Sequence, residues 1–129
     1  MKDEALIRRK LENALNRGYF KTVDLFAGCG GMSLGFDRAG FRSIAAVEIN
    51  DAARKSHELN FAGKAKEGYA SFSDIKGVQP SEVVEHARDL LEEPEEVVDV
   101  IVGGPPCQAF SRLGRAALWR LAGKDYAHS

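Results

Sequence analysis

"KTVDLFAGCGG", residues 21–31, restricts the fold of this chain more than any other stretch. A short strand is expected over 21–26, ending in a turn that holds Gly28, Gly30 and Gly31. A helical pattern follows from about Met32 to Ala39, and Gly40 stops it. A strand that passes through a glycine turn directly into a helix opens a βαβ unit. The rest of the chain repeats that alternation. "SIAAVE", residues 43–48, reads as a second strand, and Asn50 or Asp51 can cap a helix running toward Asn60. A short strand is expected around 69–73. A helix is expected over 80–93, with Val83, Ala87, Leu90 and Leu91 facing inward. "VVDVIV", residues 97–102, is nearly all β-branched, as suits a strand buried on both faces. Ahead of these, residues 3–17 form a helical pattern whose inward face is Ile7, Leu11, Ala14 and Leu15, with Gly18 as its stop. The alternation predicts an α/β fold, a parallel sheet covered by helices.

Length and charge narrow the class further. The chain has 129 residues, the size of one domain or of a piece of a larger one. Its net charge of −1 gives no overall basic excess, so any nucleic-acid contact must come from a local patch. No segment is apolar enough to span a bilayer, and the charged N-terminus lacks the core of a signal peptide. The two cysteines, far apart, make no disulfide framework, and the simplest compartment is the reducing cytoplasm.

Two features carry chemistry. The first is the glycine turn together with Glu48, seventeen residues after Gly31 at the end of the second strand. Glycines admit a ligand close to the backbone, the helix start offers N–H groups, and the acid can accept from ribose hydroxyls. Together they indicate a nucleoside-containing ligand. The last glycine of G-x-G-x-x-G is replaced by Ser33, and no G-x-x-x-x-G-K-[ST] motif is present, so the turn alone does not choose the ligand.

The second feature is "GGPPCQAFS", residues 103–111. Pro105 and Pro106 restrict the backbone, and the turn projects Cys107 from the carboxyl end of a strand, the edge where open α/β sheets bind ligands. A thiol held there is a nucleophile, in part as thiolate at neutral pH. Other cysteine chemistries fit less well. A phosphatase loop needs arginine six positions after the cysteine, whereas Arg112 is five after. Cys29, Cys107, His57, His86 and His128 are too scattered for zinc-ligand spacing, so no metal is expected.

"DLFAGCGG", "VEIN" and "GGPPCQAFS", in this order, resemble the first, second and fourth signature motifs of the DNA cytosine-5 methyltransferases, and "SDI", residues 73–75, resembles the third. The family usually has glycine where Ser73 stands. The resemblance covers about residues 21–115. It implies the N-terminal half of a class I S-adenosylmethionine-dependent methyltransferase fold: a Rossmann-like, partial doubly wound parallel sheet. It also implies S-adenosylmethionine as cofactor. Phe26, Ala27, Gly28, Gly30 and Gly31 would then cradle its methionine end. Glu48 would hold the ribose, and Ile49, Asp74 and Ile75 would contact the adenine. Pro106 would sit near the methyl donor, and Cys107 would be the catalytic nucleophile. In that chemistry the thiolate adds to carbon 6 of a cytosine flipped out of duplex DNA, which activates carbon 5 for methylation. Gln108, Ser111, Arg112 and Arg115 are the implied DNA contacts.

On this resemblance residues 1–20 are an N-terminal helix, 21–111 the cofactor- and nucleophile-bearing part, and 112–129 a truncated catalytic-loop segment. The family's Glu-Asn-Val motif, its arginine motif and its target-recognition region are not found in the sequence. The expectation is therefore a fragment, or one subunit of a split enzyme, inactive without a complementary C-terminal half. A restriction-modification system in a bacterial or archaeal cytoplasm is the implied setting. In the family's sheet order, the strand at 97–102 would be an exposed apolar edge. The alternative is a non-catalytic or regulatory subunit of a DNA-modification system; an intact Pro-Cys-Gln run argues against it. A nicotinamide-dependent oxidoreductase is disfavoured by Ser33.

Overall fold

The computed structural model describes residues 2–64, 68–88, 93–107, 112–121 and 123. It is a four-stranded parallel sheet with helices on both faces. The strands are β1 (Phe20–Leu25), β2 (Phe41–Val47), β3 (Ala70–Phe72) and β4 (Val100–Gly103), in the order β3-β2-β1-β4. Among the described residues five α-helices accompany them: α1 (Lys2–Arg17), α2 (Gly31–Arg38), α3 (Asp51–Phe61), α4 (Pro80–Ala87) and α5 (Arg112–Leu121). The α/β reading of the alternation is the observed architecture.

Local chemistry explains most boundaries. Asn50 caps α3 by accepting the Ala53 N–H at 2.9 Å. At α4 the Gln79 side chain and Glu82 form a reciprocal capping box, with Pro80 inside the first turn. The apolar core gathers Val23, Ile44, Ala45, Ala70, Ala87 and Val97 between the sheet and α4.

Three expectations are corrected. The helix over 80–93 ends at Ala87, because Arg88 is already extended (φ −70°, ψ 120°); Leu90 and Leu91 lie outside the described residues. The strand expected over 97–102 begins only at Val100. Val97 is in helical geometry and plugs the core, and the Asp99 carboxylate accepts the Lys21 N–H at 2.7 Å while its own N–H donates to the Lys21 carbonyl. β4 is also not buried on both faces: Ile101 is 65% exposed, and no described strand pairs beyond β4.

The third correction concerns α1. Ile7, Leu11 and Leu15 are exposed, and only Ala14 of the expected face is buried. The helix docks instead through Lys10, Asn13, Ala14 and Arg17, which share a face at helical spacing. What they meet is polar. Lys10 Nζ donates to the Val98 carbonyl at 2.6 Å, Asn13 to Glu96 at 2.9 Å and Arg17 to Asp99 at 2.9 Å. Arg9 pairs with Glu96 at 2.7 Å. An acidic stretch ahead of β4, not an apolar sheet, selects which face of α1 turns inward.

Candidate functional site

Because all four strands are parallel, their carboxyl ends lie on one edge of the sheet, and each leads into a residue singled out above. β1 runs into the Phe26–Gly31 turn, β2 into Glu48, β3 into Asp74, and β4 into the Gly104–Cys107 segment. The ends are laced together: the Ala27 N–H donates to the Val47 carbonyl, and the Glu48 N–H to that of Phe72, both at 3.0 Å. Gly103 lets β4 lie close to β1, since a Cβ there would meet the Leu25 carbonyl at 3.0 Å. The Pro-Pro-Cys segment is therefore delivered to the edge that carries the glycine turn.

The turn is tightly determined. Phe26 has φ 58°, a left-handed conformation costly for a bulky residue, on the order of 1–3 kcal/mol. Its ring is partly exposed at the edge, and Ala27 beneath it is buried. Gly30 has φ 100°, and a Cβ on it would stand 2.4 Å from the Phe61 ring and 2.9 Å from that of His57. No other residue fits there without displacing α3.

Glu48 is aimed at this turn. One carboxylate oxygen accepts the Gly28 N–H at 2.8 Å and the other the Asn50 N–H at 3.0 Å. Each oxygen has a second lone pair for a further donor. Ile49 is 72% exposed beside it. Asp74, exposed, caps a 3-10 turn over Ile75–Gly77 by accepting the Lys76 N–H at 3.0 Å. Ile75 lines an apolar cavity of about 360 Å³ with Val23, Leu25, Val47 and Ile101. Pro106 and Cys107 are exposed, and Cys107 is a free thiol, as is Cys29 in the glycine turn.

Of the implied DNA contacts, Gln108 and Ser111 lie outside the described residues. Arg112 begins α5, and Arg115 is on its exposed surface. Residues 112–121, assigned from sequence to a loop segment, are helical.

Sequence reasoning missed a buried polar chain beneath the turn. Asp24 of β1, Ser33 of α2 and His57 of α3 are all almost wholly buried. Ser33 Oγ lies 2.6 Å from Asp24 Oδ2 and 2.8 Å from His57 Nε2, and His57 Nδ1 lies 2.5 Å from the Tyr69 hydroxyl. Burial lowers the His57 pKa, outweighing the nearby charges of Asp24 and Glu58, and burial also raises that of Tyr69. Both side chains are held neutral. The available signal was the spacing of His57 and Phe61, four residues apart on the inward face of α3.

Comparison with known proteins adds to this geometry. A family model described as C-5 cytosine-specific DNA methylase matches residues 20–120. The type II methyltransferase M.XorII of Xanthomonas oryzae pv. oryzae is 38% identical over 96 residues, 74% of this chain and 21% of that protein. M.HgiGI of Herpetosiphon aurantiacus is 39% identical over 102 residues, 74% of this chain and 65% of that protein. Among solved structures, one described as a DNA modification methyltransferase encoded within a prophage (E. coli) superposes with a TM-score of 0.53 at 32% identity. It covers 78% of this chain and 26% of that one. The chain thus spans about a fifth of the length of M.XorII and about two thirds of that of M.HgiGI.

Proposed function

The chain belongs to the C-5 cytosine-specific DNA methylase family, and from that premise we propose that it is the cofactor-binding, nucleophile-bearing part of an enzyme that methylates cytosine in DNA. The observation that carries the reading is the convergence on one sheet edge of the strained glycine turn, Glu48 and the Pro-Pro-Cys segment. The residues fit a nucleoside cofactor: the Glu48 carboxylate is prepositioned by two backbone N–H groups and keeps acceptor capacity for ribose hydroxyls. S-adenosylmethionine, when bound, supplies an electrophilic methyl group. Phe26, Ala27, Gly28, Gly30 and Gly31 would hold its methionine end, with Ile49, Asp74 and Ile75 at the adenine and Pro106 near the methyl.

The chain's own chemical step is addition of the Cys107 sulfur to carbon 6 of a flipped cytosine. The new S–C bond pushes an electron pair toward carbon 5, which becomes nucleophilic. After methylation, loss of the carbon-5 proton reforms the ring double bond and expels the thiolate. The proton donor at the ring nitrogen would come from the remainder of a catalytic domain, and such acid–base help is typically worth about 10²–10⁴-fold. Gln108, Ser111, Arg112 and Arg115 are the proposed DNA-side contacts. Residues 21–111 form the proposed catalytic part, with 1–20 as a supporting helix and 112–129 as the DNA-side segment.

Two measurements test the reading. In calorimetry, Glu48→Ala should weaken S-adenosylmethionine binding by roughly 1–3 kcal/mol; equal binding by both proteins, or a preference for NAD, overturns the cofactor assignment. Combined with the remaining part of a catalytic domain, the chain should form an adduct at Cys107 with 5-fluorocytosine DNA, because fluorine does not leave as the proton does. Cys107→Ser should form none. An adduct on Cys29 overturns the mechanism.

A further inference from the structure

Proton counting gives the buried chain beneath the glycine turn a single direction. Asp24 Oδ2 accepts, so the one Ser33 hydroxyl hydrogen is committed to it at 2.6 Å. Ser33 Oγ must then accept from His57 Nε2–H, 2.8 Å away. Nδ1 is left as an acceptor and takes the Tyr69 hydroxyl hydrogen. The imidazole is thereby fixed in one tautomer and one orientation, with four elements or their flanks tied together: β1, the first turn of α2, α3, and the approach to β3. That ring packs against Gly30, where a Cβ would stand 2.9 Å from its Cδ2. Phe61, one helical turn on, packs against His57 with the rings tilted by 40° and their centroids 4.5 Å apart, and meets the same Gly30 position, where a Cβ would stand 2.4 Å from its ring.

We infer that His57 is a positioning residue for the cofactor turn: oriented by Tyr69 and tied through Ser33 to Asp24, it fixes where the Gly28 and Gly30 N–H groups stand without touching a ligand itself. The inference rests on the functional reading above only for what the turn binds. Burial keeps the ring neutral, as the acceptor role of Nδ1 requires. A merely space-filling histidine would need neither the committed hydroxyl of Ser33 nor that of Tyr69.

The test uses the full chain and two readouts. The amides of Ala27, Gly28 and Gly30 all donate within the turn's own bonding, to Val47, Glu48 and Ala27 respectively. Their hydrogen exchange therefore reports the turn directly, with no ligand present. His57→Phe keeps an aromatic ring and removes both hydrogen bonds; these amides should exchange roughly tenfold faster, and S-adenosylmethionine affinity should fall by a similar factor. The amide of Val23, in the centre of β1, should be unchanged. His57→Gln, which can donate to Ser33 and accept from Tyr69, should restore both readouts to within about threefold of the wild type. Tyr69→Phe removes only the hydroxyl and keeps the proposal testable should His57→Phe fail to fold; it should loosen the same three amides.

Turn amides that exchange at the wild-type rate in Tyr69→Phe or in a folded His57→Phe overturn the inference. So does a glutamine variant as impaired as the phenylalanine one. If the wild-type chain binds no S-adenosylmethionine, the functional reading falls, while the exchange rates still decide the role of His57.

Discussion

Alternate residues of β1 point to opposite sides of the sheet, and the two sides are finished differently. Thr22 and Asp24 are polar, yet their side is sealed: Thr22 donates to the Arg42 carbonyl, and Asp24 ends the buried chain from Tyr69. Val23 and Leu25 are apolar, yet their side opens into the cavity of about 360 Å³ beneath α4. Thr22 and Asp24 are buried with partners supplied, whereas on the apolar side Val23 is covered and Leu25, at the strand's end, is left half-buried. The sealed side fixes geometry, because hydrogen bonds are directional and costly to leave unmade. The apolar side supplies burial wherever it is covered, with little demand on orientation.

The largest expected effect breaks the sealed side. Gly30→Ala adds a Cβ against Phe61 and His57 at a positive φ, and should cost about 2–4 kcal/mol from overpacking and left-handed strain combined. Chemical denaturation checks it; a midpoint near that of the wild type would mean that α3 yields readily and the side is not sealed.

Next comes the apolar side where it is covered. Val97 is fully buried in the core cluster. Val97→Ala should destabilise by about 2 kcal/mol, the loss of two methyl groups plus a residual cavity.

A third test uses pH. His57 is held neutral in the fold, whereas the unfolded chain takes a proton near the ordinary value of 6.5. The unfolded state then binds more protons, so this contribution to stability is complete above about pH 6.5 and declines as pH falls below it. For Tyr69 the sign reverses: its proton is retained in the fold, so stability declines as pH rises above the ordinary value of 10.0. Urea midpoints measured across pH should show both slopes, and His57→Gln should flatten the acid one.

The smallest effect is on the open edge. Ile101 is 65% exposed, and Ile101→Thr should change stability by less than about 0.5 kcal/mol. The same change should reduce self-association, measured by light scattering, since a long apolar edge invites pairing. Loss of stability comparable to that of Val97→Ala would mean that the two parts of the apolar side do not differ.

The same contrast separates what could be read from the sequence. The strand–glycine turn–helix, the position of Glu48 after β2, the Asn50 cap and the Pro-Pro-Cys exit follow from local chemistry: backbone freedom at glycine, its loss at proline, a side-chain oxygen three residues ahead of an N–H. Periodicity misled where the partner was not a sheet face. Ile7, Leu11 and Leu15 mark a regular apolar stripe on α1, yet the helix turns its charged side to Glu96 and Asp99, which lie more than 80 residues away. His57 was weighed only as a scattered metal ligand, because its partners come from three other parts of the chain. Directional contacts between distant residues leave no period in the sequence.

The bonds that fasten α1 also impose an order in time. Lys10 reaches Val98, Asn13 reaches Glu96 and Arg17 reaches Asp99 across 88, 83 and 82 positions of chain. A ribosome adding about 5–20 residues per second makes those partners several seconds after the helix itself. The helix therefore leaves the exit tunnel well before the residues that anchor it exist. In the interval its charged face is solvated, which is an inexpensive way for an early helix to wait. Its later closure onto Glu96 and Asp99 ties the entry of β4 to α1.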